Sequence, residues 1–283
     1  MAFARPDAKC AWPLLALALS AAVPALVRAQ EAPRLRHRVF LYWGYNRAQF
    51  TRSDIHFQGT GHDFTLYDVA AKDKPEAFTL SNYFKPANIW IPQYNYRAGW
   101  FVNGHWSLSL GLDHMKYVVQ GGQRVRASGH IGQELPGGGG PGMDLNDVEL
   151  TPDFLTYEHT DGLNLLSVDL DHYSRLWASS NGRHALYFTE GILAGPVIPR
   201  TDVRLLGEGL NNRFHLAGYG LGAQLGLFAL FHDRLFLRVN ARAGFINLPD
   251  VLTTGQGQDR ARQHFWFVQE NVVLGVLLGK SRP

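Results

Sequence analysis

Hydrophobic and polar positions alternate most cleanly in residues 213–248. In the second half, Leu235, Leu237, Val239, Ala241 and Ala243 interleave with Phe236, Arg238, Asn240, Arg242 and Gly244. A period of two is that of a strand with one apolar and one mostly polar face. In the first half, Ala217, Tyr219, Leu221, Ala223, Leu225 and Leu227 interleave with Gly218, Gly220, Gly222, Gln224 and Gly226. A membrane helix is disfavoured here. Glycine at every second position is costly in a helix, and Arg238 and Arg242 would sit inside its partner. Two long strands joined by a tight turn, apolar outside and polar or small inside, fit a transmembrane β-barrel hairpin.

The same alternation recurs along the chain. It predicts strands near residues 38–46, 62–70, 92–102, 105–113, 124–131, 153–173, 184–197, 217–231, 235–248 and 263–279. Alternation is poor around Glu190 and around Gln269-Glu270-Asn271. Asn103-Gly104 and Gly121-Gly122 are hairpin-turn signals. Residues 71–91 read as an irregular connection with room for a short helix. The expected fold is all-β: an up-and-down antiparallel transmembrane barrel of about ten strands, within a range of eight to twelve. If ten strands alternate in direction, most short turns fall at one end and most long loops at the other. Two connections break that rule: the long 71–91 segment among the turns and the tight Asn103-Gly104 turn among the loops.

The N-terminus modifies this picture. Arg5 and Lys9, the apolar run 13–27, and Val27-Arg28-Ala29 together read as a cleaved signal peptide over residues 1–29. Residues 30–283 then form the barrel. Residues 133–152 contain Pro136-Gly137-Gly138-Gly139-Gly140-Pro141-Gly142 and are expected to be a Gly-rich outer loop. They lack the Lys-Ser/Thr of a phosphate-binding loop. The single cysteine, Cys10, lies in the leader, so the mature chain has no disulfide framework. The formal net charge is +3, of which the leader supplies +2 (Arg5, Lys9 and Arg28 against Asp7). The remainder gives no case for a nucleic-acid partner.

With apolar faces outward, Arg97, Arg124, Arg126, Arg238, Arg242, Asp113, Asp169, Asp171, Gln224 and Asn240 face the lumen. Ten strands enclose little space, and unpaired buried charges are costly, so an ion-paired plug is the expected interior. An anion-conducting lumen is the competing possibility.

Candidate chemistry concentrates in YEHTDGLN, residues 157–164. On the strand register, His159 and Asp161 share the luminal face and Thr160 points away. Such a pair can orient an imidazole as general base, although a solvated rim is the simpler reading. Asp144, Asn146, Asp147 and Glu149 form a weak candidate calcium set whose spacing falls short of an EF-hand loop. No cofactor is implied.

The runs WGYNRAQFTRSDIHFQGTGHDFTLYDVAAKDKP, IPQYNYRAGWF, LDHMKYVV, FLTYEHTDGLN, FHLAGYGLG and FWFVQENVVLG cover nearly all the mature chain. Together they resemble an uncharacterised outer-membrane β-barrel family of Bacteroidota-type bacteria. That resemblance implies the barrel and an outer-membrane location, and no established activity. A weaker likeness is to outer-membrane lipid A deacylases and phospholipases, which carry a His-x-Ser-Asn type motif. Here Asp161 stands where the serine belongs.

The leading functional expectation is an outer-membrane barrel with a plugged lumen and a structural or loop-mediated role. The others are an outer-leaflet lipid A or phospholipid acyl hydrolase using His159, and a narrow pore or small-solute uptake protein. Expected partners are outer-membrane lipids, lipopolysaccharide and the barrel-assembly machinery, with a monomer favoured.

Overall fold

The computed structural model describes residues 33–85, 87–88, 91–132, 143–207, 209, 212–255 and 257–280. The proposed leader and residues 133–142 lie outside the described residues. The strands are β1 (Val39–Phe50), β2 (Ser53–Gly59), β3 (His62–Val69), β4 (Ala71–Lys72), β5 (Tyr94–Phe101), β6 (Trp106–Val119) and β7 (Arg124–Ile131). They continue as β8 (Met143–Glu149), β9 (Leu155–Ala178), β10 (Ala185–Val197), β11 (Asp202–Leu205), β12 (Gly218–Phe231), β13 (Leu235–Leu252) and β14 (Arg260–Leu278). One short helix, α1 (Leu80–Phe84), follows β4.

Eight of these strands form the antiparallel ring β1-β5-β6-β9-β10-β12-β13-β14. The ring returns on itself, because β14 pairs with β1 from Val39↔Leu278 to Phe50↔Phe267. A ring of this kind satisfies every backbone donor and acceptor laterally and leaves no open edge. The strand count is therefore at the low end of the expected range. The segments expected as the second and fifth barrel strands, now β3 and β7, leave the ring. They belong to a sheet β14-β2-β3-β7-β8 that continues β14 beyond one end of the barrel. Part of the expected Gly-rich loop is also strand: β8 pairs with β7.

Removing two strands from the ring resolves both exceptions in loop length. Asn103-Gly104, residues 179–182 and His232-Asp233 are the three tight turns between ring strands, and all now lie at one end. The 71–91 segment and the Gly121-Gly122 turn, which leads from β6 into the extension, move to the opposite, extended end, where the long connections between ring strands also lie.

The outer wall carries the apolar face. Leu41, Leu108, Leu110, Val168, Leu170, Leu221, Leu227, Leu235, Val239, Val272 and Leu274 are all exposed. Trp100, Trp106 and Trp177 sit near the turn end, and Tyr96, Tyr219 and Trp266 toward the extended end. An apolar belt flanked by aromatic residues is the exterior of a membrane-spanning barrel. The irregular phasing around Gln269-Glu270-Asn271 disappears. Gln269 and Asn271 are buried inside and Glu270 is exposed outside, in step with the rest of β14. Glu190 also faces outward, beside His172 at 3.4 Å.

The inner wall is layered. At the turn end, Phe40, Tyr42, Phe101, Tyr173, Tyr187, Phe228, Phe236 and Leu277 form a buried aromatic cluster. Beyond the middle of the lumen, a larger apolar cluster includes Phe57, Phe64, Met115, Tyr117, Tyr157, Leu165, Ile246 and Phe265. This second cluster is roofed by the sheet that extends β14. Inward glycines make room for the large side chains. Gly99 is paired with Phe40 and Gly275 with Phe236. A Cβ on either glycine would meet the facing ring at 2.2 and 2.1 Å respectively.

Candidate functional site: a buried charged layer

Between the two apolar clusters lies a layer of full charges. Strict alternation on β5, β6, β9 and β13 turns Arg97, Asp113, Asp169, Asp171, Arg238 and Arg242 inward, and all six are buried. Arg97 donates from Nε to Asp169 Oδ2 at 2.8 Å and from Nη2 to Asp113 Oδ2 at 2.7 Å. Arg242 reaches the same two carboxylates, at 2.6 Å to Asp113 and 3.0 Å to Asp169. Arg238 grips Asp171 with both terminal nitrogens at 3.0 Å. Gln224 bridges the two groups, donating to Asp171 at 2.7 Å and Asp169 at 3.1 Å. Asn240 donates to Gln224 Oε1 at 2.8 Å. Ser167 donates to Asp169 at 2.6 Å and accepts from Arg97 at 2.8 Å.

Three arginines thus face three aspartates, and the layer is neutral. Charges removed from water demand such pairing, since an isolated buried ion costs several kcal/mol or roughly more. The guanidinium fork matches a carboxylate in two places, which lysine cannot do. The arrangement locks five strands of the wall, β5, β6, β9, β12 and β13, to one another across the lumen. It crosses the lumen with paired side chains that are all buried.

Two of the expected luminal arginines are elsewhere. Arg124 and Arg126 are exposed on β7, beyond the ring. Arg124 pairs with Asp147 at 2.6 Å, and the Arg126 guanidinium lies 3.9 Å from the centre of the Tyr67 ring. Their strand alternates correctly, but its outward face meets solvent, because β7 belongs to the extension. The apolar layers on both sides of the charges were missed in the sequence. Their signal was present: Phe40, Tyr42, Phe228 and Phe236 sit in phase with the inward polar positions.

The YEHTDGLN segment does not form a catalytic pair. Between the pairs Tyr117↔His159 and Met115↔Leu163, β9 carries three intervening residues where β6 carries one. The excess bulges outward through Gly162, whose φ is +128°. Asp161 leaves the inner face and pairs with Arg200 at 3.5 Å on the exterior. Thr160 donates to Glu158 at 3.0 Å. His159 remains inside and fully buried, with Nδ1 2.9 Å from Thr201 Oγ1 and Nε2 3.5 Å from Gln263 Nε2. Its neighbours on the outer wall, Lys116 and Glu158, are charged, so His159 lies past the apolar belt, in the extended end. Burial lowers its pKa from 6.5 to about 3, which keeps the ring neutral. The imidazole is neutral and enclosed, no carboxylate orients it, and the hydroxyl it meets, that of Thr201, is itself buried, so neither group is open to a lipid substrate.

The candidate calcium residues also fail to converge. Asn146, Asp147 and Glu149 are exposed along β8, where neighbours alternate between faces. Asp147 is engaged by Arg124. Asp144 is paired in register with His130. Among the described residues no three His, Cys, Asp or Glu side chains converge on a metal position.

Fold and interior define a class: a closed antiparallel barrel with an apolar outer belt and a buried ion-paired layer across its lumen. No protein-family model and no curated relative matches the sequence. Among solved structures, the chain is similar to the outer membrane protein OprG from Pseudomonas aeruginosa, with 10% identity and a TM-score of 0.34 over 88% of this chain and 98% of that one. It is similar to Ail, the attachment invasion locus protein of Yersinia pestis, with 10% identity and a TM-score of 0.27 over 84% and 99%. It is also similar to the outer membrane protease OmpT from Escherichia coli, with 7% identity and a TM-score of 0.25 over 85% and 97%. Likenesses this distant carry no argument about activity.

Proposed function

We propose that this chain is an outer-membrane barrel protein with a plugged lumen, whose role is structural or carried by the extended end. The observation that supports it is the neutral layer of Arg97, Arg238 and Arg242 against Asp113, Asp169 and Asp171, enclosed between apolar clusters. A conducting lumen needs mobile solvent and charges free to exchange partners; this one spends its charges on each other. The belt of exposed Leu and Val fits a bilayer, and the short turns fit the periplasmic side. The extended end then faces outward, with lipids and lipopolysaccharide around its base. The resemblance of runs such as IPQYNYRAGWF and FHLAGYGLG to a Bacteroidota-type outer-membrane family fits the same reading.

Planar-bilayer recording tests the plug. The purified protein is expected to insert without steady current. A reproducible ion-selective conductance would remove the reading in favour of a pore. The hydrolase reading finds no support in the placement of His159, Thr160 and Asp161.

A further inference from the structure

Strand β5 stops at Tyr94, while its neighbours β1 and β6 continue past it. The connection between β4 and β5 crosses the outer wall at this height and is fastened there by polar contacts. Lys116, on the outward face of β6, donates to Glu76 Oε1 at 2.8 Å and to the Ile91 carbonyl at 3.1 Å. The Tyr45 hydroxyl donates to the Tyr83 carbonyl, and Arg47 donates to the Tyr83 hydroxyl at 3.1 Å. The Tyr45 and Tyr83 rings meet edge to face at 4.7 Å. Tyr83 is thereby buried, and α1 is held by its inner side alone.

Its other side is apolar and uncovered. Phe78, Leu80 and Phe84 are 74%, 75% and 65% exposed. Leu274, on the barrel's outer belt, is 68% exposed. The strap therefore presents apolar side chains as openly as the lipid-facing wall does. It is also continuous with that wall. Tyr45 is paired with Tyr94, and one step down the strands Trp43 is paired with the exposed Tyr96. Lys72 and Lys85 are exposed at either side of the apolar set, and neither makes an ion pair among the described residues.

We propose that this strap is an interfacial lipid anchor: Phe78, Leu80 and Phe84 enter the outer leaflet beside the barrel, and Lys72 and Lys85 meet anionic headgroups. Apolar and cationic positions on one short segment at a belt's edge are what an interfacial element requires. Scattered exposed apolar residues are ordinary on a protein surface, but three together on a fastened strap beside a lipid belt are not. The inference rests on the reading that the barrel sits in a bilayer.

The test uses nitroxide side chains at Phe84→Cys and, separately, Leu80→Cys, in a Cys10→Ser background. The full chain is reconstituted into vesicles of phosphatidylglycerol and phosphatidylcholine. Leu110→Cys on the belt and Asp153→Cys at the far rim serve as references. Collision rates with oxygen and with a nickel chelate are read by electron paramagnetic resonance. Positions 84 and 80 are expected to favour oxygen, as Leu110→Cys does, and so to reverse the preference found at Asp153→Cys. Nickel accessibility matching Asp153→Cys would place the strap in water and overturn the proposal. Protection from both probes would mean that protein covers the strap, a second copy or another partner, and would overturn it equally. Failure at Leu110→Cys itself would instead remove the membrane-barrel reading.

Discussion

Arg242 and Asp113 meet at 2.6 Å inside the barrel, although 129 positions separate them in the chain. Asp113 also holds Arg97, and Asp169 is shared by the same two arginines. The four side chains form one closed circuit from three different regions of sequence. Its members depend on one another, so single substitutions and paired ones should differ in effect.

Asp113→Ala is expected to leave Arg97 and Arg242 short of a counter-charge in a buried layer. Breaking one partner of such a pair costs about 3–5 kcal/mol. Arg242→Ala should cost a similar amount, and the double variant less than the sum of the two. Urea unfolding in detergent micelles or thin bilayers measures all three. Additive losses would show that the circuit is not coupled.

The aromatic layer at the turn end is expected to depend on its glycines. Gly275→Val places a side chain against Phe236 and the Leu41 carbonyl, which stand 2.1 and 2.6 Å from an ideal Cβ. Overpacking of this kind costs about 1–3 kcal/mol. The folded band in unboiled electrophoresis should shift to lower heat resistance. Leu274→Val, one position away on the lipid face, should leave it unchanged.

His159 links stability to pH. The folded state holds the imidazole neutral down to about pH 3, while the unfolded chain takes up a proton near its ordinary value of 6.5. Between those values the unfolded state binds more protons, so stability falls as pH drops from about 6.5 toward 3. Comparing unfolding midpoints at pH 7.5 and 4.5 reads the effect. His159→Gln should shrink the difference between the two pH values, and an unchanged difference would assign it to other groups.

The outward bulge at residues 160–162 has its own test. Gly162 sits at φ +128°, and an added Cβ would fall 2.5 Å from the Asn164 amide nitrogen. Gly162→Ala should therefore destabilise by about 1–3 kcal/mol. Membrane lipids from cells carrying His159→Ala should show the acyl pattern of the wild type under mass spectrometry. A change confined to that variant would restore the hydrolase reading.

The sequence by itself determined the class of fold and the inward charges on β5, β6, β9 and β13. Period-two alternation in β12, β13 and β14 sends Leu235 and Val239 outward and Arg238 and Arg242 inward whatever the rest of the chain does, because successive side chains leave a strand on opposite sides. It also carried a warning about strand number in the two misplaced connections, 71–91 and Asn103-Gly104. Only the tertiary structure decided which alternating strands enter the ring. β3 and β7 look like barrel strands locally, and a strand's pattern does not record whether its apolar face meets lipid or a core, or whether its polar face lines a lumen or meets water. The fate of YEHTDGLN was equally non-local. Two surplus residues against β6 turn Asp161 outward, and a bulge exists only relative to the partner strand that lacks it.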